Sequence, residues 1–505
     1  MMPRFLATWP FLCFLMVAAG CGGGGSNGGI KQPPSPPPAV VPLTQLSTDT
    51  FTNSTSQHET EVEAHAWANG STIVSAFQVG RIFGGGGADV GFATSTDGGA
   101  TWSNGFLPGI TQFQGGGPYT AASDPVVAYD AAHGVWMIST LPINSVTDKV
   151  AVSLSSDGLN WGNPVIVSTT PDADKNWIVC DDNLSSPFFG HCYVEWDDPS
   201  NNGIIWMSTS SNGGLTWSQA RSTLNLAAGI GGQPVVQPAG TVVVPIESFD
   251  GSSLLAFSSS DGGNTWSAAT VISTISDHLV AGNLRTSALP AAVVDTLGKV
   301  YVVWQDCRFR SGCRSNDLVL STSTNGTTWT TPTRVPIDLV TSNSDYFIPG
   351  LGIEPGTSGA TANLGLMYYF YSSANCTSTT CALNAGFISS PDGGSTWNAP
   401  TTLAGPMTPS WLPNTFAGLM VGDYSSVAFS GGNAYAVFAL AGANAGTIFN
   451  EPIFATTNGL SAQRTAQILT SVGEQPVPGA HSDHPPRRFY DQEHRHPIRP
   501  PQERD

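Results

Sequence analysis

One phrase recurs down this chain and constrains it more than any other feature. It reads approximately Ser-x-Asp-x-Gly-x-Thr-Trp. Copies run from Ser95 to Trp102, Ser155 to Trp161, Ser210 to Trp217, Ser259 to Trp266, Ser323 to Trp329 and Ser390 to Trp397. A worn copy, Thr456-Thr-Asn458-Gly459, follows without its Trp. Each copy lies between two short apolar or alternating runs, so each marks the turn of a β-hairpin. The Asp or Asn accepts backbone N–H groups two residues on, and the Gly takes a positive φ at little steric cost. The Trp offers a large apolar body to the neighbouring sheet.

Two further strand candidates precede each hairpin, as in Val126–Asp130 with Val135–Ile138, or Ala291–Asp295 with Lys299–Trp304. Each unit therefore holds four strands. Inner strands are expected to start at Glu61, Pro125, Trp177, Pro234, Leu289, Ile348 and Tyr424. The span divides into units of about 57 residues. The expectation is an all-β fold, a β-propeller of four-stranded blades, with seven blades preferred over six. Closure would remove exposed sheet edges. Either Val40–Leu46 or Ala466–Ser471 supplies the last outer strand.

The ends are different material. Arg4, the apolar run Phe5 to Ala18 and Ala18-Ala-Gly-Cys21 read as an export signal over residues 1–20. Small residues directly before Cys resemble the bacterial lipoprotein cleavage signal, which implies lipidation of Cys21. Gly22 after the Cys favours, by the same resemblance, the outer membrane or cell surface. Failing that, the chain is periplasmic or secreted. Residues 21–42 form a Gly/Pro-rich tether, residues 43–471 the propeller, and residues 472–505 a polar Pro-, His- and Arg-rich tail expected to be disordered. Three cysteine pairs are close in sequence: Cys180 with Cys192, Cys307 with Cys313, and Cys376 with Cys381. They fit local disulfides of structural purpose in an oxidising compartment. The net charge of −18 excludes nucleic acid as an expected partner. No phosphate loop, metal-ligand spacing or cofactor motif stands out, so no cofactor and no metal is expected. The one membrane contact expected is through the N-terminal lipid.

In a propeller the connections into inner strands, and those between second and third strands, crowd one face around the axis. The repeated turns fall on the other. Register assigns Asp124, Lys175, Arg285, Tyr346, Asp423 and Tyr424 to the first face, with His58, Glu59, Glu61, Asp174, Asn176, Gln233 and Asp345. The second-to-third loops add Arg81, Glu247, Asp250, Asp306, Arg308 and Arg310. Four arginines around one axis in so acidic a chain suit bidentate capture of a carboxylate.

The recurring phrase resembles the Asp-box, or BNR, repeat of the sialidase superfamily, over roughly residues 56 to 460. That resemblance implies an arginine triad on the carboxylate of sialic acid, a Tyr nucleophile activated by Glu, and an Asp acid/base. Carried over in chain order, these are Arg81, Arg285 and Arg308 or Arg310 on the carboxylate, Tyr346 with Glu247 as its base, and Tyr424 as rival nucleophile. Asp124 or Asp89 stands as acid/base. The family's Phe/Tyr-Arg-Ile-Pro start is absent; Gly80-Arg81-Ile82-Phe83 stands in its place. Two functions follow. One is glycoside hydrolysis of sialidase type, or hydrolysis of another sugar by a carboxylate pair such as Glu61 with Asp124, Asp345 or Asp423. The other is a non-catalytic surface that binds an extracellular glycan or glycoprotein, with Trp304, Tyr368–Tyr371 and Trp411 available for stacking.

Overall fold

The computed structural model describes residues 40–144, 149–170, 172–471 and 473–477. The export signal, Cys21, residues 21–39 of the tether and the tail from residue 478 lie outside the described residues. The fold is all-β; among the described residues helix is limited to short 3-10 turns such as Pro199–Asn201 and Pro409–Trp411.

The strands form antiparallel four-strand meanders in chain order. Glu61–Asn69, Thr72–Arg81, Gly87–Ser95 and Ser103–Phe106 make one. Ala121–Asp130, Val135–Ile143, Val150–Ser155 and Val165–Ser168 make the next, joined to the first through the single pair Gly87 and Ala122. Asp174–Cys180, Cys192–Asp198, Ile204–Ser210 and Arg221–Ser222 follow. The next inner strand is interrupted, as Gly229–Ile230 and Val235–Val236, before Val242–Ser248, Ser253–Ser259 and Thr270–Thr274. Then come Ala291–Val294, Val300–Asp306, Asp317–Ser323 and Thr333–Arg334. Asp345–Ile353, Leu364–Tyr371, Leu383–Ser390 and Thr401–Met407 form another. Ser426–Ser430, Asn433–Ala439 and Ile453–Thr456 complete the series, and their outer strand is Leu43–Gln45.

The alternatives for that outer strand are thus resolved in favour of the N-terminal segment. Ile468–Leu469 pairs instead with Trp397–Asn398. Ser47, just past the N-terminal strand, accepts the N–H of Ile453 at 2.8 Å and donates to Glu61 Oε2 at 3.1 Å, tying the last sheet to the first. Described residues at the start of the tail touch the fifth sheet and its loop. Glu474 lies 3.4 Å from Arg334, and the Val477 N–H reaches the Arg308 carbonyl at 2.8 Å.

Apolar layers lie between consecutive sheets. Val126, Ile178 and Trp196 share one; Val74, Val90 and Ile138 another; Phe77, Met367, Phe429 and Val437 a third, which brings together the last sheets and the first. Side chains bond the inner strands to one another. His65 Nδ1 accepts the Val127 N–H at 3.0 Å, Asn176 donates to the Asp124 carbonyl at 2.8 Å, and Ser426 Oγ accepts the Ala66 N–H at 2.8 Å.

Each repeated phrase closes the turn between third and fourth strands. In the first, Ser95 Oγ donates to Asp97 Oδ1 and accepts the Gly99 N–H, each at 2.8 Å. Asp97 Oδ1 accepts the Thr101 N–H at 2.8 Å, and Trp102 Nε1 donates to the Gly99 carbonyl at 3.2 Å. Gly99 has φ 85°, and a Cβ there would sit 2.4 Å from the Tyr435 ring. Position and conformation both demand glycine. Trp266 and Trp397 are buried, whereas the other box tryptophans are half-buried.

All three expected cysteine pairs are disulfide-bonded. Cys180 bonds Cys192, and the two face each other across paired strands. Cys307 bonds Cys313, six residues on, and Cys376 bonds Cys381, five residues on. Each of these last two cross-links one loop rather than two sheets.

The boxes are local devices, so damage to one should be modest. Asp261 accepts from Ser259 and from both the N–H and hydroxyl of Thr265. Asp261→Ala should cost about 1–2 kcal/mol, read as a lower denaturation midpoint with unchanged slope.

Candidate active or binding site

The pairing register slips at one equivalent place in several inner strands. The slips fall between Val62 and His65, Ser123 and Val126, Asp174 and Trp177, and Phe347 and Gly350. Inside each slip one residue is left-handed: Glu63 at φ 58°, Asp124 at 48°, Lys175 at 47° and Ile348 at 51°. Such a conformation costs about 1–3 kcal/mol at a non-glycine residue. A bulge breaks the two-residue alternation and re-aims a side chain.

Three of the four residues are charged, and they meet. Lys175 Nζ lies 3.3 Å from Glu63 Oε1 and 3.2 Å from Asp124 Oδ1, and it also bonds Asp423 Oδ2. An ammonium has three N–H donors, and three carboxyl groups take them. Arg285 grips Asp423 with its fork, Nε to Oδ1 at 2.8 Å and a terminal nitrogen to Oδ2 at 2.5 Å. Gln78 donates to Glu63 and, at 3.0 Å, to Ser123 Oγ, which donates to Asp124 Oδ2 at 2.9 Å. Gly422 permits the approach: a Cβ there would sit 2.8 Å from the Glu63 nitrogen.

All these groups are buried. Burial, with help from Asp124 and against Lys175, pushes Glu63 up to about 8. Burial also opposes the charge on Asp423, but Arg285 and Lys175 outweigh it and hold that carboxyl well below its usual range. Burial opposes the ammonium of Lys175 likewise; Asp124, Asp423 and Glu63 outweigh it and raise the value.

A shallow, open pit adjoins this cluster. Lys175, Glu247, Phe249, Arg285, Phe416 and Asp423 are among its walls. Glu247 is 8% exposed, and its Oε2 has no hydrogen-bond partner. Burial first, then Asp277 and Asp250, push it up to about 8. The Arg285 guanidinium carbon lies 5.9 Å from the centre of the Phe416 ring.

Asp124, Lys175, Arg285 and Asp423 are therefore brought together, with Glu247 in the same pit. The remaining expected residues serve elsewhere. Arg308 grips Asp306 at 2.9 and 2.6 Å and donates to Ser273. Arg310 is fully buried; it bonds Asp317 and Asp338, and its other terminal nitrogen bonds the carbonyls of Leu339 and Ser342. Arg81 is buried, with one terminal nitrogen 2.7 Å from the Gly86 carbonyl. In each case a loop group close by satisfies the guanidinium. The expected pairing of Tyr346 with Glu247 is not formed. Tyr346 donates to Asp338 Oδ2 at 2.9 Å and stacks on Phe370, and burial pushes its phenol up rather than activating it. Tyr424 donates to the Pro125 carbonyl at 3.2 Å, and burial likewise raises it. The acid/base substitute Asp89 is buried, accepts the Val90 N–H at 2.8 Å and lies outside the pit. The disulfide cysteines Cys180, Cys192, Cys307, Cys313, Cys376 and Cys381 also lie outside it. Their sulfurs are consumed in bonds between near neighbours in the chain, so they brace strands and loops and offer the pit no thiol.

Sequence reading missed Glu63, Phe249 and Phe416. Strand alternation puts Glu61 and Glu63 on one face, but the bulge separates them. Glu61 turns to Ser47, and Glu63 turns to Lys175.

Residues 146–348 match the family model described as the BNR repeat-like domain. The match spans less than half of the chain, and over those residues the chain is similar to a BNR-repeat domain. Its boxes at Ser155, Ser210, Ser259 and Ser323 all fall inside the match, as do Lys175, Glu247 and Arg285. Among solved structures, the leech intramolecular trans-sialidase is 14% identical over 64% of this chain and 67% of its own, with a TM-score of 0.43. A protein of unknown function from Dyadobacter fermentans is 15% identical over 70% of this chain and 98% of its own, TM-score 0.44. An ulvan lyase of polysaccharide lyase family PL25 is 11% identical over 84% and 98%, TM-score 0.47. No curated protein matches the sequence.

Two outcomes follow from the buried charges. Lys175→Met leaves three carboxyl groups without their cation and should cost about 3–5 kcal/mol in chemical denaturation. The pH profile of stability should be a dome. Glu63 and Glu247, both near 8, and Asp182, near 7, hold protons that the unfolded chain releases at ordinary carboxyl values. Their contribution is full below the ordinary carboxyl range and is lost progressively from there until pH has passed about 7 for Asp182 and about 8 for the two glutamates. Asp423 acts in the opposite sense: its contribution is present above the ordinary carboxyl range and lost on acidification. Melting temperature should peak near about pH 5 and fall towards about pH 9. Glu247→Gln should flatten the alkaline limb; a profile flat over that range would contradict the assignment.

Proposed function

We propose that this chain recognises extracellular glycans through the Glu247–Arg285–Phe416 pit, without sialidase-type cleavage. One observation carries the reading: a buried carboxyl with an unpartnered oxygen faces the same pit as two aromatic rings. Sugars present alternating C–H faces and hydroxyls, so rings to stack on and a carboxyl to bond suit them. Sialidase chemistry asks for three guanidinium groups on one ligand carboxylate and a tyrosine beside a glutamate. Here Arg308 and Arg310 are committed to Asp306, Asp317 and Asp338, and Tyr346 to Asp338. The alternative carboxylate pairs fare no better. Glu61 accepts from Ser47, Asp345 Oδ1 from the Asn316 N–H, and Asp124 and Asp423 are held by Lys175.

The same proposal covers the architecture. The four-strand meanders are the seven blades of a propeller closed by Leu43–Gln45. Supporting this, their inner strands pack in chain order and Ser426–Ser430 packs back against Glu61–Asn69. It also covers location: a protein lipidated at Cys21 and held at the bacterial cell surface or outer membrane, where its disulfides persist.

The full chain should show no turnover of a fluorogenic sialoside and should bind components of a glycan array. Phe416→Ala should weaken that binding about tenfold, or about 1.4 kcal/mol. Sialoside turnover lost in Arg285→Ala would overturn the non-catalytic reading.

A further inference from the structure

We propose that the pit selects neutral glycans and discriminates against sugars bearing carboxylate or sulfate, with Glu247 as the anchor for a sugar hydroxyl. This rests on the reading of the pit as a glycan site, and it gives that site an uncharged ligand class where four arginines in sequence would imply an anionic one.

The cationic donors of the pit are already committed. Lys175 and Arg285 are the cations lining the pit. Lys175 places its three N–H groups on Glu63, Asp124 and Asp423. Arg285 meets Asp423 through Nε and a terminal nitrogen, the bidentate geometry that a ligand carboxylate would itself need. Asp423 belongs to the chain and is already in place, so an incoming anion would have to displace a tethered competitor at high effective concentration. It would do so facing Asp423 and Asp174 in the pit wall, in a site where burial weakens solvent screening.

Glu247 completes the case. Glu247 lines the pit and its buried Oε2 has no hydrogen-bond partner, so a carboxyl that turned towards the pit would meet a ligand hydroxyl with that bonding capacity unspent. A group near 8 is protonated at neutral pH and both donates to and accepts from a hydroxyl. One neutral donor does not offset the desolvation of an anionic ligand beside an ionised Asp423. Phe249 and Phe416 then meet the C–H face of the sugar.

The test uses the full-length protein on an array of neutral oligosaccharides built from glucose, galactose, mannose and N-acetylglucosamine, printed beside their sialylated, sulfated and uronate counterparts. Bound glycans should be neutral, and each acidic counterpart should bind at least about tenfold more weakly. Glu247→Ala should lower affinity for the neutral glycan about tenfold, and Glu247→Gln should retain most of it, because the amide still donates and accepts. Asp423→Asn removes a negative charge from the pit wall and should narrow the preference for neutral sugars; retained near-ultraviolet circular dichroism would show that it folds. Acidic glycans bound as tightly as their neutral counterparts would overturn the charge inference and leave the glycan reading standing. A folded protein that binds no glycan of either kind would overturn the glycan reading itself.

Discussion

A lysine ammonium taken out of water must find carboxylates, and most of the chemistry of this molecule follows from how Lys175 finds them. Removing such a charge from solvent costs several kcal/mol unless partners replace its hydration. Glu63, Asp124 and Asp423 are those partners, and they come from widely separated parts of the chain. They reach the ammonium because Glu63, Asp124 and Lys175 each occupy a left-handed bulge. The backbone strain at those three residues is offset by the ion contacts it makes possible. Arg285 then shares Asp423 with Lys175 through a two-point grip.

The bulge also shows how a repetitive scaffold carries a unique site. Equivalent positions hold Glu63, Asp124, Lys175 and Ile348, an acid, an acid, a base and an apolar residue. The backbone device recurs; the side chains do not. The repeated turns at the opposite ends of the sheets behave in the reverse way, with nearly constant residues and nearly constant hydrogen bonds. Constancy there reflects a structural task common to every sheet. Variation at the bulges reflects a task performed once.

Arginine was the misleading signal in the sequence. Arg308 and Arg310 sit in a short loop whose closest acids, Asp306 and Asp317, flank it in the chain. The bond between Cys307 and Cys313 closes that same loop. In a chain with twice as many acids as bases, an arginine is rarely far from a carboxylate of its own. The loop pairs were formed before any ligand could claim them. Arg285 differs because its carboxylate, Asp423, comes from a distant sheet and lies in the wall of a pit, so that its pairing shapes a site rather than a loop.

The sequence by itself determined the all-β character, the succession of local hairpins, the box turns and the three cysteine pairs, because each depends on contacts between residues close in the chain; the outer strand of the last sheet, paired across more than 400 residues, it left open. It also brought Asp124, Lys175, Arg285, Glu247 and Asp423 to notice, by counting positions from the repeats. Only the tertiary structure decided which of these meet. That depends on bulges that reverse alternation, as at Glu63, and on rings such as Phe249 and Phe416 contributed by segments remote in sequence. Register along a strand is local and can be read; convergence across strands is long-range and must be folded to be seen.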